Sequence, residues 1–197
     1  MAIVRPTTTD GGTSKYTGVL PVCIWNFEDR SNDFNWCDVF LSVELKIQDS
    51  EYSRFLEICG PLEKDASGMV TGGYCLKPLY HLFDILGFKG GLNAKGEWED
   101  EDGVAITNIA SHLNDRYDKG NPMTEEKYDH VAYIYKAMPK KQGDKAYTRV
   151  YNRIYHNDDT GNIKIKEQVS WMKSKGYLKE WNGLNTSETS AAVTENL

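Results

Sequence analysis

Nowhere in this chain do apolar residues run on for the roughly 18 positions that a membrane-spanning helix needs, so no membrane partner is expected. The opening MAIVRPTTTDGGTSKYTG lacks a continuous apolar segment and a small-residue cleavage pattern, so no secretory signal is expected. The four cysteines, Cys23, Cys37, Cys59 and Cys75, are 14, 22 and 16 positions apart and form no C-x-x-C pair. The four histidines stand singly at 81, 112, 130 and 156. Local metal-ligand spacing is therefore missing, and reduced, mostly buried thiols in a cytoplasmic setting are the expectation.

Catalytic signatures are missing too. The chain contains no G-x-x-x-x-G-K-[ST], no G-x-S-x-G, no H-E-x-x-H and no G-x-G-x-x-G following a strand. The acidic run Glu97–Asp102 could supply carboxylates to a divalent ion, but neighbouring side chains on an extended loop rarely converge on one metal. The expectation is a non-enzymatic protein with no metal and no cofactor.

What the chain does have is an uneven distribution of charge. The formal net charge is −6. Residues 1–130 hold 12 Lys/Arg against 22 Asp/Glu, whereas residues 131–181 hold 11 against 5. An acidic body thus carries a basic carboxy-terminal third, the asymmetry that steers an anion to one side.

Residues 1–18, rich in Thr, Gly and Ser, read as a flexible arm, and residues 182–197 as a disordered tail. Residues 19–181 then form one domain. Its first strand is VLPVCIWNF; the second, WCDVFLSVELK, alternates cleanly. Cys37, Val39, Leu41, Val43 and Leu45 take one face, and Trp36, Asp38, Phe40, Ser42, Glu44 and Lys46 the other. RFLEICGPL is a third strand, although Asp49 could instead cap a brief helix. Helical spacing of Leu79, Leu82, Phe83 and Leu86 ends at Gly87, and VAITNIASHLNDRY repeats the pattern with Val104, Ile106, Ile109, Ala110 and Leu113 buried. HVAYIYKAM and AYTRVYNRIY form a hairpin, with Gly143 supplying the positive φ of its turn. HNDDTGN is a further turn, and IKIKEQVSWMKSKGYLKEW a basic strand-to-helix segment in which Trp171 and Trp181 serve packing. This order predicts a mostly β, α+β domain: an OB-like antiparallel barrel with helical insertions, or alternatively a plain α+β sandwich.

The stretch AYTRVYNRIY carries the functional signal. With a period of two, Tyr147, Arg149, Tyr151, Arg153 and Tyr155 share one side, and the aliphatic Val150 and Ile154 fall on the other. If the aliphatics anchor the strand, rings and guanidinium groups alternate outward, with same-face neighbours about 6.6 Å apart. Bases stack on rings and phosphates pair with cations, so this is the chemistry of a single-strand site. Lys136, Lys140, Lys141 and Lys145 at the hairpin's open end add sequence-independent attraction. Tyr133, Tyr135, Trp36 and Phe40 are secondary candidates, the last two also suited to cover by a helix. The competing reading turns the tyrosines inward as an aromatic core.

The stretches TGVLPVCIW, DVFLSVELKI, LYHLFDILGF and KKQGDKAYTRVYNRIY, spread over about residues 17–156, resemble phage-encoded single-stranded-DNA-binding proteins with an OB fold. The resemblance implies sequence-independent protection of single-stranded DNA in phage replication or recombination, in the cytoplasm of the host cell. Single-stranded DNA is then the expected partner, with RNA as the alternative strand; self-association into a homo-oligomer and contacts with replication or recombination proteins are compatible with it. The tail TSETSAAVTENL departs from the acidic, aromatic-tipped ending common in such proteins, which puts partner recruitment through it in doubt. The alternative function is a protein-interaction or virion structural module that uses the same rings and arginines without nucleic acid. A nuclease accessory using the acidic loop is a third.

Overall fold

A computed structural model describes residues 16–117, 127–139 and 145–181. Five strands form one antiparallel sheet: β1 (Gly18–Asp29), β2 (Val39–Ile47), β3 (Ser53–Gly60), β8 (His130–Ala137) and β9 (Tyr147–His156), in the order β3-β2-β1-β8-β9. The described residues are thus mostly β with three α-helices, an α+β architecture. The edge strands β3 and β9 approach each other, so the sheet curls strongly. No ladder of hydrogen bonds joins them among the described residues.

The inward face of β2 is realised as read, whereas Phe40 and Ser42 of the face read as outward are buried too. Val39, Leu41, Val43, Leu45 and Ile47 are all essentially inaccessible. They meet Leu56 and Ile58 of β3 and Ala132, Ile134 and Ile154 of the late hairpin in one core. Each such burial contributes about 1.5–3 kcal/mol. A bulge between Ile24 and Asn26 in the pairing of β1 with β2 shifts the side-chain alternation so that Phe27 turns into the core.

The connection from β3 to β8 builds one end of the domain. It contains two-residue ladders β4 (Glu63–Lys64) with β5 (Val70–Gly72) and β6 (Gly91–Leu92) with β7 (Trp98–Glu99), and helices α1 (Leu76–Leu86) and α2 (Ile109–Arg116). Three turns here share one design. Asp65, Asn93 and Asp100 each accept from the backbone N–H groups two and four residues on. A glycine three residues on, Gly68, Gly96 or Gly103, takes φ near +80° (83°, 83° and 77°).

Helix α1 buries Leu79, Leu82 and Phe83 and ends on Gly87 at φ 70°, as the spacing predicts. Helix α2 is shorter than read. It starts after Asn108, whose side chain accepts from Ser111 N, so Val104 and Ile106 precede it, and Val104 is exposed. Asn114 on α2 exchanges two hydrogen bonds with the backbone of Phe27, beyond the point where β8 stops pairing with β1. It satisfies polar groups that the sheet leaves open.

The segment read as turn, strand and helix is one helix, α3 (Asp159–Ser174). Asp158 caps it by accepting from Gly161 N at 2.6 Å. The side chain at position 161 must be absent: a Cβ there would lie 2.0 Å from the His156 carbonyl oxygen. Helix α3 lies over the outer face of β8 and β9 and forms a second core with them. Ile165, Val169 and Leu178 pack on Val131, Tyr133, Tyr151 and Tyr155. After α3, residues 179–181 pair with β8: Met138 N donates to Lys179 O and Trp181 N to Lys136 O. No described helix is long and apolar enough to cross a membrane. The expected arm is described only from Tyr16, and the expected tail lies outside the described residues.

Candidate nucleic-acid interface

The hairpin of β8 and β9 divides into a covered half and an open half. In the register, Ala132 pairs with Ile154 and Ile134 with Val150, so β9 accommodates two extra residues between these pairs. A shift of two preserves the faces, and Val150 and Ile154 stay on the main core as the sequence predicts.

The opposite face is where the outward reading needs correction. Tyr151 and Tyr155 are only 6% and 9% exposed, beneath α3, and Tyr133 is buried with them. The Tyr133 hydroxyl accepts from Lys173 Nζ at 2.7 Å and donates to Glu180, and Lys173 pairs with Glu180 at 2.8 Å. Burial, followed by the Glu180 contact, raises the Tyr133 pKa; burial also raises that of Tyr151. The physical reason is that a period of two sorts side chains by face and is blind to a second layer. A signal existed: Ile165, Val169 and Met172 are spaced as a helical stripe that needs a floor. Arg153 is half-buried at the margin of this cover.

The open half keeps the other members. Tyr147 is 40% exposed and Arg149 is exposed, with the guanidinium carbon 4.8 Å from the Tyr147 ring centroid. Tyr135 is half-buried; burial raises its pKa, while the adjacent Arg149 opposes the rise through its charge and a hydrogen bond. Arg149 lies on the strand that approaches β3. Its charge acts on Cys59, whose pKa rises chiefly through burial and then through Glu57 and Cys37. Cys59 pairs in register with Phe40. Phe40, buried on the outer side of β2, stacks on Phe34 with centroids 5.0 Å apart, and Trp36 packs against both. Arg30 stands 5.3 and 5.2 Å from the Phe34 and Phe40 centroids. The cover on Phe40 is therefore the β1–β2 connection, with its short 3-10 helix Ser31–Asp33, and not an α-helix.

Guanidinium groups and rings thus occur at both margins of the β2–β3–β9 surface, with Cys59 between them and exposed Phe55 on β3. The sequence reading missed Arg30, Phe34 and Phe55, because only three-dimensional packing brings a loop arginine onto rings of a neighbouring strand. Lys136 stands 5.7 Å from the Trp181 ring centroid, and Lys145 is exposed. Lys140, Lys141 and Gly143 lie outside the described residues. Trp171, read as a packing residue, is 48% exposed, a correction that follows from its place on the outer side of α3.

The acidic run has structural tasks. Asp100 organises its turn, Glu97 and Glu99 accept from Asn93, and Glu101 takes two hydrogen bonds from Arg116. The Arg116 contact lowers the Glu101 pKa to about 2. No group of three or more metal-ligating side chains able to hold an ion occurs among the described residues. All four cysteines are free thiols, Cys59 being the one not fully buried. His130 is buried at the start of β8, with Nδ1 2.7 Å from Asp129 Oδ1, its ring 5.3 Å from that of His156, and Nε2 without a partner.

Comparisons of the chain with protein-family models, with curated proteins and with solved structures return no match.

Proposed function

We propose that this protein binds single-stranded nucleic acid, DNA foremost, without sequence preference and without catalysis. The observation that carries the reading is Arg149 standing exposed, its guanidinium carbon 4.8 Å from the Tyr147 ring centroid and beside Tyr135, so that a base platform and a phosphate partner adjoin. Arg30, Phe34 and Trp36 extend the same chemistry at the opposite margin, and Lys145 adds charge at the hairpin. An OB-like barrel is the architecture this reading adopts. The strand order, the helical connection between β3 and β8, and the approach of β3 to β9 support it. The kinship with phage single-strand-binding proteins and a role in replication or recombination belong to the same proposal.

The test is fluorescence anisotropy with labelled oligo-dT across salt. Expected is saturable binding that falls steeply between about 50 and 200 mM salt, with similar affinity for mixed sequences. Absence of binding at the lower salt overturns the reading.

A further inference from the structure

We infer that the carboxy-terminal end of α3 is a second contact surface for the same strand, formed by Trp171, Tyr177 and the lysines around them. The inference rests on the single-strand reading and extends it to residues on which that reading does not depend.

Trp171 and Tyr177 are 48% and 67% exposed, with ring centroids 5.8 Å apart. Neither belongs to the core beneath α3; Ile165, Val169 and Leu178 do that packing. The pair is nevertheless held in place. Gly176 at φ 70° turns the chain back, and Tyr177 N donates to Met172 O at 3.0 Å. Two large rings presented by a tight helix end leave apolar area in water that burial elsewhere would have removed. Residues 167–181 contain Lys173, Lys175 and Lys179 against Glu167 and Glu180; Lys173 is held by Glu180, and Lys175 and Lys179 are exposed on this segment. Rings beside ammonium groups suit bases beside phosphates, and this charge complementarity selects a polyanion over an apolar partner.

The end of α3 is joined to the hairpin through Lys173 and the buried Tyr133. Lys173 Nζ lies 5.0 Å from the Tyr133 ring centroid, and the Tyr133 and Tyr135 rings stack at 5.9 Å. Tyr135 in turn meets Arg149, which covers Tyr147. Trp181, 5.7 Å from Lys136, stands at the same margin through its pairing with β8. Lys173, held by Glu180 over the buried Tyr133 ring, marks the seam between the open half of the hairpin and the end of α3. A strand long enough to leave the sheet would stack its next bases on Trp171 and Tyr177.

The experiment is a titration of the full chain with oligo-dT in steps from about 6 to about 30 nucleotides, a range that brackets the site sizes of single-strand modules. It compares the parent protein with W171A/Y177A and with K175E. Both changes fall on exposed side chains, and circular dichroism checks that the fold is retained. Expected is near-equal affinity of parent and W171A/Y177A for the shortest oligomer that binds, and at least a tenfold deficit of the variant on the longest. K175E should reduce the salt slope by about one on the longest oligomer only. Equal affinity of parent and W171A/Y177A at every length overturns the inference and leaves the single-strand reading standing. No binding by the parent at any length overturns both. Concentration-dependent dimerisation in sedimentation that W171A/Y177A abolishes assigns the patch to a second copy instead, and likewise overturns the inference.

Discussion

Lys173 on α3 donates to the hydroxyl of Tyr133 on β8 over 2.7 Å, and both groups meet Glu180 beyond the helix. This contact closes a helix over a strand face that alternates aromatic and cationic residues. Beneath it the tyrosines are structural. Beyond it, toward the hairpin's open end, the same alternation reaches water.

The two halves should respond differently to truncation. Y151A or Y155A removes a ring packed against Ile165 and Val169 and should cost about 3–5 kcal/mol of stability. Urea denaturation measures this. A loss below about 1 kcal/mol would show that α3 does not rest on these rings.

On the open half, Y147A and R149A should leave the denaturation midpoint nearly unchanged, since both side chains are exposed. Each should weaken oligo-dT binding by about 1–3 kcal/mol. Anisotropy at one fixed low salt reads the difference, and parental affinity in both variants removes Arg149 and Tyr147 from the site.

Gly161 is the closest backbone approach in the helix start. G161A places a methyl group 2.0 Å from the His156 carbonyl oxygen and should destabilise by about 1–3 kcal/mol. Thermal denaturation by circular dichroism tests this, and an unchanged midpoint contradicts the close packing of α3 on the end of β9.

Stability should fall on mild acidification. Burial lowers the pKa of His130, against the opposing pull of Asp129 and with His156 adding to the lowering; burial likewise lowers that of His81. A lowered folded pKa means that the unfolded chain takes up protons first. The contribution is complete above the unfolded value of about 6.5 and is lost as pH drops below it toward the folded values. Carboxylates such as Asp38, whose folded pKa is lowered chiefly by the Leu62 N–H, act in a more acidic window. The melting temperature should therefore drop between about pH 7.5 and 5.5. An H130Q variant should lose part of that drop. A flat profile in the parent refutes the prediction.

Particular elements show how far the chain could be read in advance. The alternation from Val39 to Leu45 and the spacing from Leu79 to Phe83 gave their faces correctly, because each needs only neighbours within a few residues. Helix α2 was drawn too long at its start, since Val104 and Ile106 continue the apolar spacing while the Asn108 cap sets the boundary. The turn HNDDTGN was misread for the converse reason: Asp158 and Gly161 act as a helix start, which becomes plain only with His156 against Gly161. Of the candidate site, Tyr147, Arg149, Tyr135 and Trp36 lie on accessible or half-open surface. Tyr133, Tyr151 and Tyr155 support a helix, and Arg30 and Phe34 could not be found without the β1–β2 connection folded back on Phe40.

By itself the sequence determined which side chains share a face, because backbone chirality and periodicity are local properties of the chain. It also determined the charge asymmetry and the glycine-bearing turns. Only the tertiary structure decided whether a shared face meets water or a second layer. That outcome depends on where the helix that begins four residues after Tyr155 comes to rest, and on the hydrogen bonds and apolar contacts that hold it there.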